Sequence, residues 1–302
     1  MSTLLRPSSR WLFPLFLLAP PALTAALVFG LRAPPAVAMT AVVLVALAAL
    51  VGLERRAPFR AEWTQRPAAE TRSDLAYIAL ASAPDRLARL GAEWVTLAAL
   101  SWCCAGAHPR SLGEGLARGA LAFVLADLGK YAVHRASHER AWLWRFHLAH
   151  HEPQRIDTLN ALRLHPVNVA YNAALDGIAM ALLRVPPGIA AVFATLRAVV
   201  GLLQHANLDL ESGRQWLFNA PSYHRTHHAM DVAESNHNFA STLLVWDRLF
   251  RTLLRRDPPA RVGVAPDDHE RPSSYTGQTL YAFCGKELRT TCVFARFRWL
   301  VA

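Results

Sequence analysis

The chain has 302 residues, of which 53% are hydrophobic, with thirteen histidines, four cysteines and a formal net charge of +10. That apolar share is more than a soluble domain uses, so part of the chain is expected to lie in a membrane. The basic residues flank apolar runs instead of forming one aromatic-interleaved patch, which argues against nucleic acid as a partner. Cys103, Cys104, Cys284 and Cys292 make no C-x-x-C pair, so neither a disulfide framework nor a structural zinc is indicated.

In chain order, residues 11–31 and 33–53 are two uncharged runs separated by Arg32, each long enough to cross about 30 Å of hydrocarbon as a helix. A cleaved signal peptide competes for the first run, with Arg6 and Arg10 ahead of it, but its apolar core would ordinarily be shorter. Read as spans, the two form a hairpin turning near Arg32, with Pro14, Pro20, Pro21, Pro34 and Pro35 expected to kink or break the helices. Residues 54–74 read as a polar cytoplasmic linker. Residues 75–93 carry Asp85, Arg86, Arg89 and Glu93 and read as an interfacial amphipathic helix. The uncharged stretch 94–107 and a long helix over 112–133, with Asp127 and Lys130 near its end, then suggest a second hairpin. Trp142, Trp144 and Phe146 suit a membrane boundary. Residues 167–183 and 185–205 form a third, shorter hairpin broken at Arg184, Pro186, Pro187 and Gly188, and the polar, Pro-rich tail from about 252 supports no reading.

The expected fold is all-α: a polytopic membrane helical bundle of about four to six membrane-embedded helices under a histidine-rich helical cap. The chain divides into an N-terminal membrane region (1–110), a central region (111–255) and a tail (256–302). Arg6, Arg10, Arg55, Arg56, Arg60, Arg135, Arg140, Arg145, Arg155 and Arg163 would share one side, which the positive-inside rule makes cytoplasmic, and the cap goes with them.

Eleven of the thirteen histidines fall between residues 134 and 237. His134 and His138 form H-x-x-x-H; His147, His150 and His151 form H-x-x-H-H; His224, His227 and His228 repeat that pattern. Residues three and four apart share a helix face, so each box is expected to present its imidazoles in one direction. Burying so many imidazoles at a membrane boundary without partners is unfavourable, which points to a metal. Imidazole suits iron, zinc, copper and nickel alike, so spacing alone does not name the metal.

The order of the boxes, the eight residues between the first two, and the hydrophobic hairpin before the third resemble the fatty acid hydroxylase and sterol desaturase superfamily. D-L-G-K-Y-A-V-H-R from Asp127, W-R-F-H from Trp144, R-L-H-P from Arg163 and N-F-A-S-T-L-L-V-W-D-R-L-F from Asn238 strengthen the likeness, which covers roughly residues 112–255. Where many members have N-F-G or N-Y-G, this chain has N-F-A. The resemblance implies a di-iron centre that uses O2 and two electrons to functionalise an unactivated C–H bond of a lipid or sterol-like substrate. It carries over His134, His138, His147, His150, His151, His224, His227 and His228 as metal ligands and adds His205, in Q-H-A-N, as a ninth. His165 stands at a family position and reads equally as an additional ligand or as a supporting or helix-starting residue. Asn238 reads as a brace for its loop, whereas His237, His108 and His269 are not expected to be ligands. Asp127, Glu139, Asp157 and Asp247 are candidate acceptors for the outer ring nitrogens, each reading at least as well as a solvated or helix-capping carboxylate.

Desaturation of a lipid is the alternative outcome within the same chemistry. A non-catalytic metal-binding or transport protein is a reading from another class, but it predicts ionisable residues in the spans, and runs 11–31 and 33–53 have none. The chain lacks C-x-x-C-H and G-x-G-x-x-G, so electrons are expected from an external donor such as a ferredoxin or cytochrome, for which Arg135, Arg140 and Arg145 offer a basic docking face.

Overall fold

A computed structural model of the chain describes residues 9–103, 108–210, 216–256, 258–265 and 274–284. Arg6, Cys104, His269 and Cys292 lie outside them. Among the described residues the architecture is helical, and the only extended pairings are isolated bridges between Phe218 and Leu243 and between Ala229 and Val262.

The first hairpin forms as expected. Helix α1 (Ser9–Ala25) runs on through a π-helical turn to Gly30, accommodating Pro14, Pro20 and Pro21, and α2 follows as Pro35–Arg56. Arg32 takes a left-handed φ of 55° in the turn. Pro34 and Pro35 sit at the cap and first position of α2, where a missing N–H leaves nothing unsatisfied, so they start the helix instead of breaking it. Among the described residues, three stretches are long and apolar enough to cross a membrane: Trp11–Gly30, Pro35–Arg56 and Pro187–His205. The last is α7; α1 and α2 both pack against it.

The region read as linker, interfacial helix and second hairpin is different. Helix α3 is one continuous element, Ala68–Cys103, preceded by a short 3-10 turn at Ala61–Thr64. Its charges do not interrupt it, because Arg89 pairs with Asp85 one turn back and with Asp176 on α6 (Pro166–Leu182). The segment 54–74 is no free linker either: Glu54, Trp63 and Asp74 are buried, and the Glu54 carboxylate accepts from the backbone N–H groups of Thr158 and Asn207.

Helix α4 (Leu112–Glu139) begins at Ser111, whose hydroxyl accepts from the Glu114 N–H, and packs along α6 and α7. Gly115 and Gly119 allow that close approach: a Cβ at either would lie 2.6 Å from the Ile189 or Phe193 side chain of α7. Lys130 donates to Asp176 at 2.6 Å, which compensates a charge buried between α4 and α6. Helices α5 (Ala141–His151), α8 (Pro221–His227), α9 (Val232–Ser235) and α10 (Val245–Leu249) build the cap. The tail is more informative than its composition. Its helix α11 (Tyr275–Cys284) docks on α5 and α3, where Tyr77 bonds Gln278 at 3.0 Å and Phe146 meets Phe283.

Arg155 and Arg163, expected as topology-setting surface charges, are instead buried. Arg155 contacts Asp74, Asp157 and Glu70, while Arg163 contacts Asp74, Glu152 and the Ala149 carbonyl. Together they tie the start of α3 to the end of α5. His108 is exposed, as expected.

Candidate metal centre

The structure brings all nine predicted histidines together, in two groups. The first is His134, His138, His147, His151 and His227; the second is His150, His205, His224 and His228, with the candidate ligand atoms of each group within 4.8 Å of one another. The boxes do not each face one way. Residues i and i+4 share a face, so 134/138 and 147/151 serve the first group and 224/228 the second. An adjacent residue is rotated by about 100°, so His150 and His227 leave the face of their box partners and enter the opposite group. Each H-H pair therefore straddles the two groups, and His151 and His228 stack at 4.2 Å across the divide.

Backbone carbonyls set the tautomers. Nδ1 of His134 meets the Phe239 carbonyl at 2.8 Å, Nδ1 of His150 that of Arg163 at 3.3 Å, Nδ1 of His205 that of Gly201 at 2.9 Å, and Nδ1 of His227 that of His237 at 2.8 Å. A carbonyl can only accept, so each Nδ1 carries the proton and each Nε2 presents a lone pair inward. Nδ1 of His147 meets the Asn168 side-chain amide at 2.8 Å, and His138 bonds the side chain of Asn236. The four candidate carboxylates do other work. Asp127 accepts from Arg197, the Leu243 N–H and the Trp246 indole, and Asp247 from the Phe239 and Ala240 N–H groups and Thr252. Asp157 pairs with Arg155 and Arg66, and Glu139 with Arg135 on the surface. Neutral carbonyls hold the rings instead because the last turn of α7 and the loops after α5 and α9 place peptide groups directly behind them.

The fit to metal rests on the inward nitrogens. Nε2 of His134, His138 and His227 is buried with no hydrogen-bond partner. In the second group, Nε2–Nε2 separations run 3.3 Å (His150–His205), 2.9 Å (His205–His224) and 3.0 Å (His224–His228); in the first, His147 and His151 approach to 3.1 Å. His150 and His205 both hold their proton on Nδ1, so two bare lone pairs face each other, which is repulsive unless a cation lies between them. Two nitrogens at right angles around a metal, each about 2.1 Å away, would stand about 3.0 Å apart. Burial, reinforced by the neighbouring imidazoles, pushes the pKa of His147, His150, His151, His224, His227 and His228 well below the usual value, keeping them neutral and able to ligate.

His165 is not in either group. Its Nδ1 accepts from the Val167 N–H as the cap of α6, and its Nε2 donates to the Thr279 carbonyl. Asn238 braces the loop after box three: its amide donates to the Tyr223 and Leu254 carbonyls and accepts from the Leu254 N–H. It takes the left-handed φ of 58°, and Ala240 does not, so the chain needs no glycine at the third position of N-F-A. His237 contributes its carbonyl, not its ring. Sequence reasoning missed Asn168 altogether; its only signal was a polar side chain in the first turn of a largely apolar helix.

The sequence profile of the fatty acid hydroxylase family matches residues 119–252. An ornithine lipid hydroxylase of Rhizobium tropici is 31% identical over 225 residues, covering 72% of this chain and 67% of that protein. Alkylglycerol monooxygenase of Danio rerio is 33% identical over 133 residues, 44% of this chain and 29% of that protein. The Homo sapiens alkylglycerol monooxygenase is 30% identical over 132 residues, again 29% of its own length. No solved structure matches the chain. All of the histidines in the two groups lie inside the matched segment, and by that profile and the extent of likeness to the bacterial lipid hydroxylase, the chain belongs to the fatty acid hydroxylase family.

Proposed function

We propose that the protein is a membrane di-iron oxygenase that uses O2 and two electrons to hydroxylate a C–H bond of a lipid. The observation that carries this reading is the convergence of nine imidazoles in two adjacent groups, with the Nε2 lone pairs of His134, His150, His205 and His227 turned inward. His134, His138, His147, His151 and His227 would hold one ion, and His150, His205, His224 and His228 the other. When bound, such a pair supplies the oxygen activation that no protein side chain can perform. The chain's own part is to keep the imidazoles neutral, fix the tautomers of His134, His150, His205 and His227 through the carbonyls of Phe239, Arg163, Gly201 and His237, and exclude water by burial. The likeness to a lipid hydroxylase and to monooxygenases favours hydroxylation over desaturation.

The cap is assigned to the cytoplasmic face. Helices α2 and α7 both end at it, and the exposed Arg55, Arg56, Arg140 and Arg145 gather at that end, as the positive-inside rule requires. Arg140 and Arg145, beside the start of α5, remain the proposed docking face for an external ferredoxin or cytochrome; Arg135 is engaged by Glu139. Metal analysis of the detergent-purified protein, together with mass spectrometry of lipids from cells with and without it, tests the proposal. Two irons per chain and an oxygenated lipid that depends on O2 are expected. Zinc or no metal in an O2-active preparation would sink the iron assignment, a new double bond in place of a hydroxyl would make the enzyme a desaturase, and an unchanged lipid profile would remove the substrate class.

A further inference from the structure

A furrow of about 810 Å³ runs between α3 and α6, lined almost wholly by apolar side chains. Its volume lies in the range of small-molecule sites. Small residues keep it open: Gly91 and Ala92 on α3, Ala170 and Ala174 on α6. A side chain at Gly91 would meet nothing within 4 Å. The banks carry exposed apolar groups, with Trp94 and Val95 on α3 and Ile178 and Leu182 on α6, so the furrow faces an apolar medium.

The two helices run in the same direction. Asp74, near the start of α3, is bound by Arg163 just ahead of α6, and further along Gly177 of α6 lies against Arg89 and Ala92. One end of the furrow therefore adjoins the histidine cap. Tyr171 closes that end with its hydroxyl bonded to Ser137, the residue before His138. One turn earlier on the same helix, Asn168 holds His147. The other end lies by Leu182 and Thr96, away from the cap. From Tyr171 to Leu182 the helix rises about 16 Å at 1.5 Å per residue, the span of about thirteen methylenes with C–C bonds of about 1.5 Å.

We infer that this furrow binds the hydrocarbon chain of the lipid substrate, with the polar end of the lipid at Tyr171 beside the histidine groups and the terminal methyl beside Leu182. The inference rests on the oxygenase reading and deepens it: the carbon presented for oxidation is one near the polar end of the lipid, not one near the methyl end. A lipid lying in a bilayer would enter with its headgroup already level with the cap, and its chain would replace bilayer contacts with the apolar walls of α3 and α6. The walls offer no charged group to a chain along this length.

The test uses the full-length protein in phosphatidylcholine nanodiscs with palmitoyl phospholipids carrying a diazirine either near the carbonyl or at the chain end. After irradiation, peptide mass spectrometry should place the carbonyl-proximal label on the segment around Tyr171 and the terminal label around Ile178 and Leu182, both displaced by unlabelled substrate. Reversed order, labelling spread evenly over the apolar surface, or a second copy or the chain's own C-terminal segment occupying the furrow would overturn the inference. In a second measurement, Gly91→Leu should fill the middle of the furrow without a clash. Hydroxylation of long chains should fall by roughly tenfold or more while octanoyl lipids stay within about twofold of wild type, as expected for a few misplaced methylenes, and metal content should not change. If wild type carries iron and forms product but neither bias is seen, the furrow assignment falls and the oxygenase reading survives. If labelling follows the expected order and no oxygenated lipid ever forms, the furrow stands as a lipid site and the oxygenase reading falls.

Discussion

Replacing Asn238 separates the support of the two histidine groups. Its side chain donates to the Tyr223 and Leu254 carbonyls at 2.9 and 2.6 Å and accepts from the Leu254 N–H at 2.8 Å, and the residue is fully buried. Asn238→Ala strips a partner from three groups. At about 1–3 kcal/mol for each buried group left unsatisfied, the loop should lose about 3–5 kcal/mol. A further ~1 kcal/mol arises because alanine, unlike asparagine, is disfavoured at a φ of 58°. The flanking carbonyls of His237 and Phe239 hold His227 and His134, both in the first group, whereas the rings of the second group are held from elsewhere. Metal content by mass spectrometry should therefore fall from two ions per chain toward one, with first-group affinity reduced by about 10–100-fold. Asn238→Gly, which keeps the backbone angle and loses the hydrogen bonds, should recover about 1 kcal/mol of thermal stability and none of the metal. Full metal occupancy in Asn238→Ala, or equal loss from both groups, would refute the claim that this loop serves one group.

Other substitutions divide the histidines by role. His165→Asn keeps a side chain able to cap α6 and loses the bond to the Thr279 carbonyl, so metal should stay at wild-type level with about 1 kcal/mol less stability; loss of a metal would make His165 a ligand. His150→Ala should abolish second-group binding, since it removes one of four ligands, and retained metal in that variant would contradict the grouping. Arg163→Lys cannot span Asp74, Glu152 and the Ala149 carbonyl together, and breaking this buried cluster should lower stability by about 3–5 kcal/mol; an unchanged melting temperature would show the cluster to be dispensable. Chelation should lower the melting temperature, and ferrous iron should restore it, because the opposed lone pairs are stable only around a cation. No shift in either direction would argue against a metal in the cage.

Much of the site could be read from residue order. The i and i+4 spacings of the boxes, the clustering of eleven histidines and the uncharged runs before them specified a helical membrane protein with a metal site, because helix periodicity and membrane thickness act on local sequence. What the spacing left undetermined was which histidine belongs to which ion. His150 and His151 are neighbours in sequence and part company by a rotation of about 100°, and only the packing of α4, α5, α7 and α8 converts that rotation into two groups. The ring acceptors were misjudged for a similar reason. Carboxylates stand out in a sequence, whereas the carbonyls of Arg163, His237 and Phe239 are anonymous peptide groups until tertiary structure sets them behind a ring. The charges Asp85, Arg86, Arg89 and Glu93 likewise made residues 75–93 read as a separate interfacial helix until Asp176 on α6 is seen to pair with Arg89. The local pattern thus determined the helices, the boxes and the demand for a cation, and the long-range packing decided the division of ligands and the furrow leading away from them, since both depend on groups far apart in the chain meeting in space.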